Sequence, residues 1–271
     1  MEMVTDWRGR PLGREGGFER IVSLVPSLTE TIIRLGARER LVGRTRFCVE
    51  PAGEVERIPA LGGTKNPRLE KIVELRPDLV IANVEENPRD AVEELEEAGI
   101  PCYVCFPRSR REALAVMEDL GRLAGVEQEA EKLLVKAEED FTSASERVSS
   151  WPERSYIYLI WQRPYMAAGG ETYISQLLSH LKLSNLLAGE GERYPVLEEV
   201  KGASRFRPDL VLLSTEPFPF TEKHIPEVSQ GMAALFGYAP EDVRVVDGRW
   251  ASWYGWRTCF ALTRLADGLS P

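Results

Sequence analysis

The pentapeptide Arg-Pro-Asp-Leu-Val occurs twice, at 76–80 and at 207–211. Each copy follows a helix-like stretch, 69–75 in one case and 197–200 in the other, and opens a short apolar run. That is the pattern of a tight connection from a helix into a buried strand. Because the flanks match as well, the pair predicts one structural unit present twice. The surrounding sequence repeats the theme. Residues 20–25 read as a buried strand ended by Pro26, and Ser27 is expected to cap a helix with Glu30 as its capping-box partner. Leu28, Thr31, Ile32 and Leu35 would form the single inward face of that helix, and Gly36 would close it. Helix 69–75, strand 79–82, helix 89–98, strand 102–106 and helix 110–124 follow, and a second series opens with strand 156–160. Strands alternating with helices imply parallel sheets covered on both faces.

Between the two series, Ala130, Leu134, Ala137, Phe141, Ala144 and Val148 step by four and three with polar residues between them. This predicts one amphipathic helix over 127–148, roughly 33 Å long at 1.5 Å per residue. The fold class expected is α/β: two Rossmann-like lobes with parallel sheets, joined by one long helix. The boundaries are an N-terminal lobe over 1–126, a connecting helix over 127–149 and a C-terminal lobe over 150–271.

A net charge of −9 over 271 residues disfavours a nucleic-acid surface, which needs clustered cations. No apolar run approaches the ~18 residues of a membrane helix, so no membrane insertion is expected. The N-terminus has neither the basic nor the apolar region of a signal peptide. A cytoplasmic monomer is therefore the first expectation, with a periplasmic or lipid-anchored protein the alternative if a signal was removed. Cys48, Cys102, Cys105 and Cys259 form no disulfide framework. Cys102 and Cys105, three apart on a strand, would point to opposite faces and cannot share a metal, so buried inert thiols are expected.

Ligands of open parallel sheets bind beyond the carboxyl ends of the strands. Those ends are followed here by Pro26 and Ser27, by Glu85, by Trp161 and Tyr165, by Glu216, and by Asp247, Trp253, Tyr254 and Arg257. Cys48 follows the run Gly43–Phe47 in a further candidate cleft loop. Trp250, Trp253 and Trp256 are either one core-facing helix stripe or aromatics on binding loops; Gly248 and Gly255 favour loops. Aromatics beside Arg257 suit a flat, conjugated, anionic ligand. His224 is a candidate metal ligand, whereas His180 sits in an apolar helix pattern and reads as structural. No nucleophile elbow, P-loop or dinucleotide fingerprint occurs. An enzyme would have to draw its acid and base from Glu85, Glu216, Asp247 and His224. A docking module without a small ligand is a further alternative.

The stretches Arg20–Thr31, Pro67–Val80 and Arg207–Val211 resemble the helical-backbone substrate-binding proteins that deliver cobalamin, haem and iron-siderophores to ABC importers. Within that superfamily, of class III periplasmic binding fold, Gly43–Cys48, Gly62–Pro67, Pro164–Gly169, Glu216–Phe220 and Ser252–Gly255 look like the helical-backbone metal receptors. The resemblance runs almost the whole length, from Thr5-Asp6 to the last helix. It implies a non-catalytic binding protein holding a metal chelate in a cleft between its lobes: cobalamin, another metal tetrapyrrole or a siderophore, with nothing bound covalently. Pro26, Trp161, Tyr165, Trp253 and Arg257 match the positions that contact the corrin ring in cobalamin receptors. Importer-coupled members dock on an ABC permease through one glutamate per lobe. Glu70 stands at the first such place and Lys201 at the second, and a cation facing a permease arginine repels.

Overall fold

The computed structural model describes residues 3–270. The chain divides into two compact units. The first takes the chain up to Pro107, then Arg111–Ala137 and the distant segment Tyr254–Cys259; the second takes Arg108–Arg110, Glu138–Trp253 and the chain from Phe260 onward.

Unit 1 opens with a hairpin of β1 (Val4–Thr5) and β2 (Pro11–Leu12). Then come β3 (Ile21–Ser23), α1 (Pro26–Arg34), β4 (Leu41–Arg44), α2 (Leu69–Glu74), β5 (Leu79–Asn83), α3 (Arg89–Glu97), β6 (Cys102–Cys105), α4 (Arg110–Leu123) from Arg111 onward, and α5 (Glu127–Val148) as far as Ala137. Its sheet is parallel throughout, in the order β4-β3-β5-β6. Val22, Val80, Ala82 and Val104 of the strands pack against Ile72 of α2 and against Val92 and Leu95 of α3. Cys102 and Cys105 are free, buried and differently surrounded: Cys102 Sγ lies near the Val92 and Ile100 carbonyls, Cys105 Sγ near Asn83 and Tyr254.

The hairpin closes the free edge of β6. Trp7 N–H donates to the Val104 carbonyl at 2.9 Å, Asp6 Oδ2 accepts from Val104 N–H at 3.3 Å, and Arg8 donates to the Cys102 carbonyl at 2.8 Å. An edge strand leaves just these backbone groups unpaired.

Helix α1 departs from its expected form in two ways. It starts at Pro26, whose missing N–H costs nothing at a first helical position, with Val25 as an N-cap that offers no side-chain bond. No capping box forms. Nor is the helix one-faced: all residues from Pro26 to Ile33 are buried, Glu30 included. Its second face is covered by the returning segment Tyr254–Cys259, which lies more than two hundred positions along the chain. Strand β4 was not expected at all. It is four residues long and contains Gly43, where a Cβ would collide with the Leu61 side chain.

Unit 2 contains β7 (Arg154–Trp161), β8 (Met166–Ala167), α6 (Tyr173–Ser179), β9 (Leu183–Asn185), β10 (Leu210–Ser214), α7 (Ile225–Phe236), β11 (Val243–Val246), α8 (Gly248–Ser252) and α9 (Ala261–Leu269). Its parallel strands run β9-β7-β10-β11, which in order of appearance is the topology of unit 1. The short antiparallel β8 pairs with the far end of β7.

The repeated pentapeptide has the same job in both units. Asp78, ahead of β5, accepts from the N–H groups of Glu19 and Arg20 at 3.0 and 2.8 Å, where the chain enters β3. Asp209, ahead of β10, accepts from Ser155 N–H and Ser155 Oγ, both at 2.7 Å, at the start of β7. Each carboxylate fastens the amino end of the neighbouring strand. The flanks match less well than expected. α2 precedes the first copy, but two 3₁₀ turns, Leu197–Glu199 and Ala203–Arg205, precede the second. Gly202, at φ +70°, separates them, a left-handed conformation no helix interior accepts.

Helix α5 occupies Glu127–Val148, with Ala130, Ala137, Ala144 and Val148 buried. In unit 2 the Asp140 carboxylate accepts from the N–H groups of Leu262 and Thr263 at 3.0 and 3.2 Å, capping the first turn of α9.

Candidate functional site

In unit 2 the carboxyl end of β7 carries an aromatic cluster. Trp161 is 41% exposed and stands edge-on to Phe218, with ring centroids 5.6 Å apart. Phe218 in turn packs on Phe220 at 4.7 Å and on His224 at 5.5 Å. Such pairs hold a ring in place beyond what burial alone does, so the Trp161 indole is presented to solvent on a fixed base. Tyr165 lies four residues further on. Its N–H donates to the Glu198 carboxylate at 3.0 Å, and its ring is half-buried against α7 where Gly231 leaves no room for a Cβ.

His224 is not placed to ligate a metal. Its Nδ1 accepts from Thr221 N–H at 3.0 Å. A backbone N–H only donates, so the proton of the neutral ring sits on Nε2, which then has no lone pair to offer. The bond is part of a capping box that closes the turn Glu222–His224. His180 packs edge-on to Phe141 at 5.3 Å, and burial followed by the nearby Arg110 charge lowers its pKa. Among the described residues no group of three or more His, Cys, Asp or Glu side chains could hold a metal ion.

After β10, Ser214 Oγ donates to the Glu216 carbonyl at 2.6 Å and accepts from Tyr158 Oη at 3.1 Å. The Glu216 carboxylate accepts from Ser252 Oγ at 2.8 Å. Burial raises its pKa, and the bond from Ser252 only partly offsets that effect. Asp247 caps α8 through Arg249 N–H at 3.1 Å and pairs with the Arg249 guanidinium at 3.0 Å, so that carboxylate has a structural use. Trp250, Trp253 and Trp256 form no single helix stripe. Trp250 is in α8, Trp253 follows it, and Gly255 at φ +91° turns the chain before Trp256.

In unit 1 the expected residues are more enclosed. Pro26 and Ser27 are buried at the start of α1. Cys48 is fully buried, with Sγ 3.0 Å from Thr29 Oγ1 and 3.2 Å from Thr45 Oγ1, and burial pushes its thiol pKa up. A thiol so placed is inert. Tyr254 is buried with Oη 3.6 Å from Cys105 Sγ. Arg257 does not fit the expected recognition of an anionic ligand. It is buried, and its Nε and Nη2 donate to the two Glu30 carboxylate oxygens at 2.7 and 3.2 Å. Two positions at strand ends escaped the sequence reading. Phe47 beyond β4 and Val84 beyond β5 are 48% and 44% exposed, with the Arg46 guanidinium 4.9 Å over the Phe47 ring. The pair Gly62-Gly63 was the available signal for Phe47: a Cβ on Gly63 would press on Asn66 and on the Phe47 ring.

Glu70 and Lys201 are both exposed. A cavity of about 420 Å³ in unit 1, lined by Arg14, Arg122 and Leu123 among others, includes none of the expected site residues.

Comparison with known proteins is consistent with this architecture. The profile of the family described as Periplasmic binding protein matches residues 21–216. The Vitamin B12-binding protein of Vibrio parahaemolyticus is 25% identical over 237 residues, covering 87% of this chain and 75% of that protein. An ABC transporter substrate-binding lipoprotein of Bacillus subtilis, YvrC, described as uncharacterized, is 29% identical over 179 residues, covering 64% of this chain and 56% of its own length. The periplasmic heme-binding protein RhuT of Roseiflexus superposes with a TM-score of 0.76 at 22% identity, over 93% of this chain and 98% of that one. A cytoplasmic location gains no support from these relatives, one being named a lipoprotein and another periplasmic. Among the described residues no helix is long and apolar enough to cross a membrane.

Proposed function

The chain belongs to the periplasmic binding protein family, and on that premise we propose that it is a non-catalytic receptor for a metal tetrapyrrole-like chelate, with cobalamin or another corrinoid as its ligand. The observation that carries the reading is the Trp161 platform, an exposed indole held edge-on by Phe218 at the carboxyl end of a parallel strand. A flat conjugated macrocycle is the ligand class such a surface suits. A corrinoid is favoured over haem because corrinoid cobalt can bring its own axial donors, whereas haem iron takes them from protein side chains such as histidine. Of the two imidazoles of this chain, His224 accepts a backbone hydrogen bond at Nδ1 and His180 packs against Phe141.

Receptor duty for an ABC importer is a second reading, supported by the substrate-binding lipoprotein relative and by exposed Glu70 in the first turn of α2. Lys201 weighs against it. Co-migration with a permease would decide for it.

The test is a titration with cyanocobalamin, haemin and a ferric siderophore, followed by tryptophan emission and thermal shift. Cyanocobalamin is expected to quench emission and to raise the melting temperature, since a ligand at a hundred times its Kd adds about 2.7 kcal/mol of stability. Trp161→Ala is expected to weaken binding by about tenfold or more, the effect of losing one aromatic anchor. If none of the three ligands changes emission or melting at micromolar concentration, the reading is wrong.

A further inference from the structure

We infer that Arg46, held over the Phe47 ring, is the anion-recognising group of unit 1, and that the ligand it takes carries a carboxylate or phosphodiester on the rim of a conjugated ring system. The inference rests on the binding function proposed above and adds the charge that the ligand must bear.

Beyond β4 the chain makes a short turn whose inner residues are buried and whose outer ones are not. Thr45 and Cys48 are fully buried, Cys48 N–H donates to the Thr45 carbonyl at 3.2 Å, and Cys48 Sγ lies 3.0 Å from Thr29 Oγ1 on α1. Arg46 and Phe47, between them, are exposed. The pair is fastened from the side as well. Leu61 N–H donates to the Arg44 carbonyl at 2.7 Å, and Arg46 N–H continues the ladder by donating to the Gly62 carbonyl at 2.8 Å. Gly63 then lies so close to Phe47 that a Cβ would press on the ring. Asn87 ties down the far side of this loop, donating to the Thr64 carbonyl at 3.1 Å and to the Leu24 carbonyl, just past β3, at 3.2 Å. A turn pinned at this many points keeps its two exposed side chains at the carboxyl end of the sheet, where parallel sheets take their ligands.

Arg46 is set apart by donors that are still unused. Its guanidinium carbon stands 4.9 Å from the Phe47 ring centroid. Such a contact engages the positive charge rather than the N–H groups, so all five donors stay available. Among the described residues no carboxylate or carbonyl takes one of them. Several arginines set over rings elsewhere are already engaged: Arg110 with Glu138 at 3.1 Å, Arg205 with Glu190, and Arg207 with the carbonyls of Ser204, Phe206 and Phe236. Arg257, the cation expected for this task from the sequence, is held by Glu30. Drawing any of these to a ligand would break a bond already made. Arg46 can be recruited without that loss, and its planar fork matches the paired oxygens of a carboxylate or a phosphodiester. The Phe47 ring adds a flat apolar face beside the charge. That pairing fits an oxyanion attached to a conjugated body better than a small free anion.

The experiment follows binding by tryptophan quenching with three probes. Cyanocobalamin carries a phosphodiester, dicyanocobinamide is the same macrocycle without the nucleotide loop that bears it, and haemin carries two propionates. Arg46→Gln, at an exposed position, is expected to keep the melting temperature of the natural protein. It should weaken cyanocobalamin or haemin by about fivefold to tenfold and leave dicyanocobinamide within about twofold. A loss confined to cyanocobalamin assigns the anion as the phosphodiester; one confined to haemin assigns it as a propionate. Arg46→Lys should recover part of the loss, since it returns the charge but not the fork. Added salt should weaken the anionic probe in the natural protein, and less so in Arg46→Gln. An equal loss for dicyanocobinamide, or no loss for any probe, overturns the inference. If no probe binds any form of the protein, the metal-chelate reading fails, and 1-pyrenebutyrate against its neutral alcohol then decides the role of Arg46. Tighter binding of the carboxylate, abolished in Arg46→Gln, upholds it; any other result overturns it.

Discussion

Replacing Arg257 by methionine isolates a deeply buried ion pair of unit 1. Its guanidinium meets both oxygens of Glu30, and the side chains are only 8% and 1% exposed. Removing one partner of such a pair strands the other charge in a low-dielectric setting and costs about 3–5 kcal/mol. Arg34 softens the loss, because its Nε lies 3.9 Å from Glu30 Oε1; that is too far for a hydrogen bond but near enough for attraction. The lower end, about 3 kcal/mol, is therefore expected, a fall in Tm of roughly 6–12 °C for a chain of this size. The pH dependence follows from the orphaned carboxyl. Burial already raises the Glu30 pKa with Arg257 in place, and without the cation it rises further. The folded variant then holds a proton that the unfolded chain has released, so its stability falls as pH rises through that interval. The deficit relative to the natural sequence should be full at pH 8 and smaller at pH 5. Calorimetric melts at both pH values, together with Glu30→Leu and the double replacement, complete a cycle in which the double variant recovers most of the loss. A single variant within 1 kcal/mol of the natural protein at pH 8, or a deficit equal at the two pH values, would refute the account.

Asp119, which accepts from Tyr103 Oη at 2.7 Å, is pushed up to about 6 by burial. Its penalty is absent well below pH 4, grows as pH rises, and is complete above about 6; after discounting for partial exposure, Asp119→Asn should stabilise by about 1–2 kcal/mol at pH 7.5 and by nothing at pH 3.5 in urea melts. An equal gain at both pH values would show that charge is not the cause. Gly255→Ala places a Cβ against Thr31 Oγ1, which accepts from Trp256 N–H at 3.0 Å, on a backbone at φ +91°. A loss of about 1–3 kcal/mol is expected, read as a lower urea midpoint, and an unmoved midpoint would mean the turn is not constrained.

What could be read from the sequence was whatever a local pattern encodes. The stepping from Ala130 to Val148 gave α5 its limits, and the Arg-Pro-Asp-Leu-Val pair marked two equivalent strand entries, because an apolar period and a turn each act within a few residues. The failures share a cause. Glu30 was read as a cap because its true partner, Arg257, is 227 residues away. The second face of α1 looked polar for the same reason. Tyr254 and Arg257 were assigned to a binding surface by their place after β11, but chain order says nothing about which unit a short returning segment packs into. Trp161, Tyr165 and Glu216 were placed after strand ends by the rule that loops after parallel strands carry function. Phe47 was not, since β4 is too short to announce its own end. The orientation of His224 could not be read either, because it depends on which ring nitrogen a backbone N–H happens to meet.

The hairpin at residues 4–12 has a consequence for how copies of this molecule meet one another. Without it, the outermost strand of the first sheet would offer a ready template to any extended segment drifting past, including the same strand of a neighbouring copy. Asp6 occupies that template with a charged oxygen in place of a carbonyl, and Trp7 shields the rest. The edge is hemmed where the hairpin takes up the Val104 N–H and carbonyl and the Cys102 carbonyl, the groups a passing strand would otherwise be stitched onto.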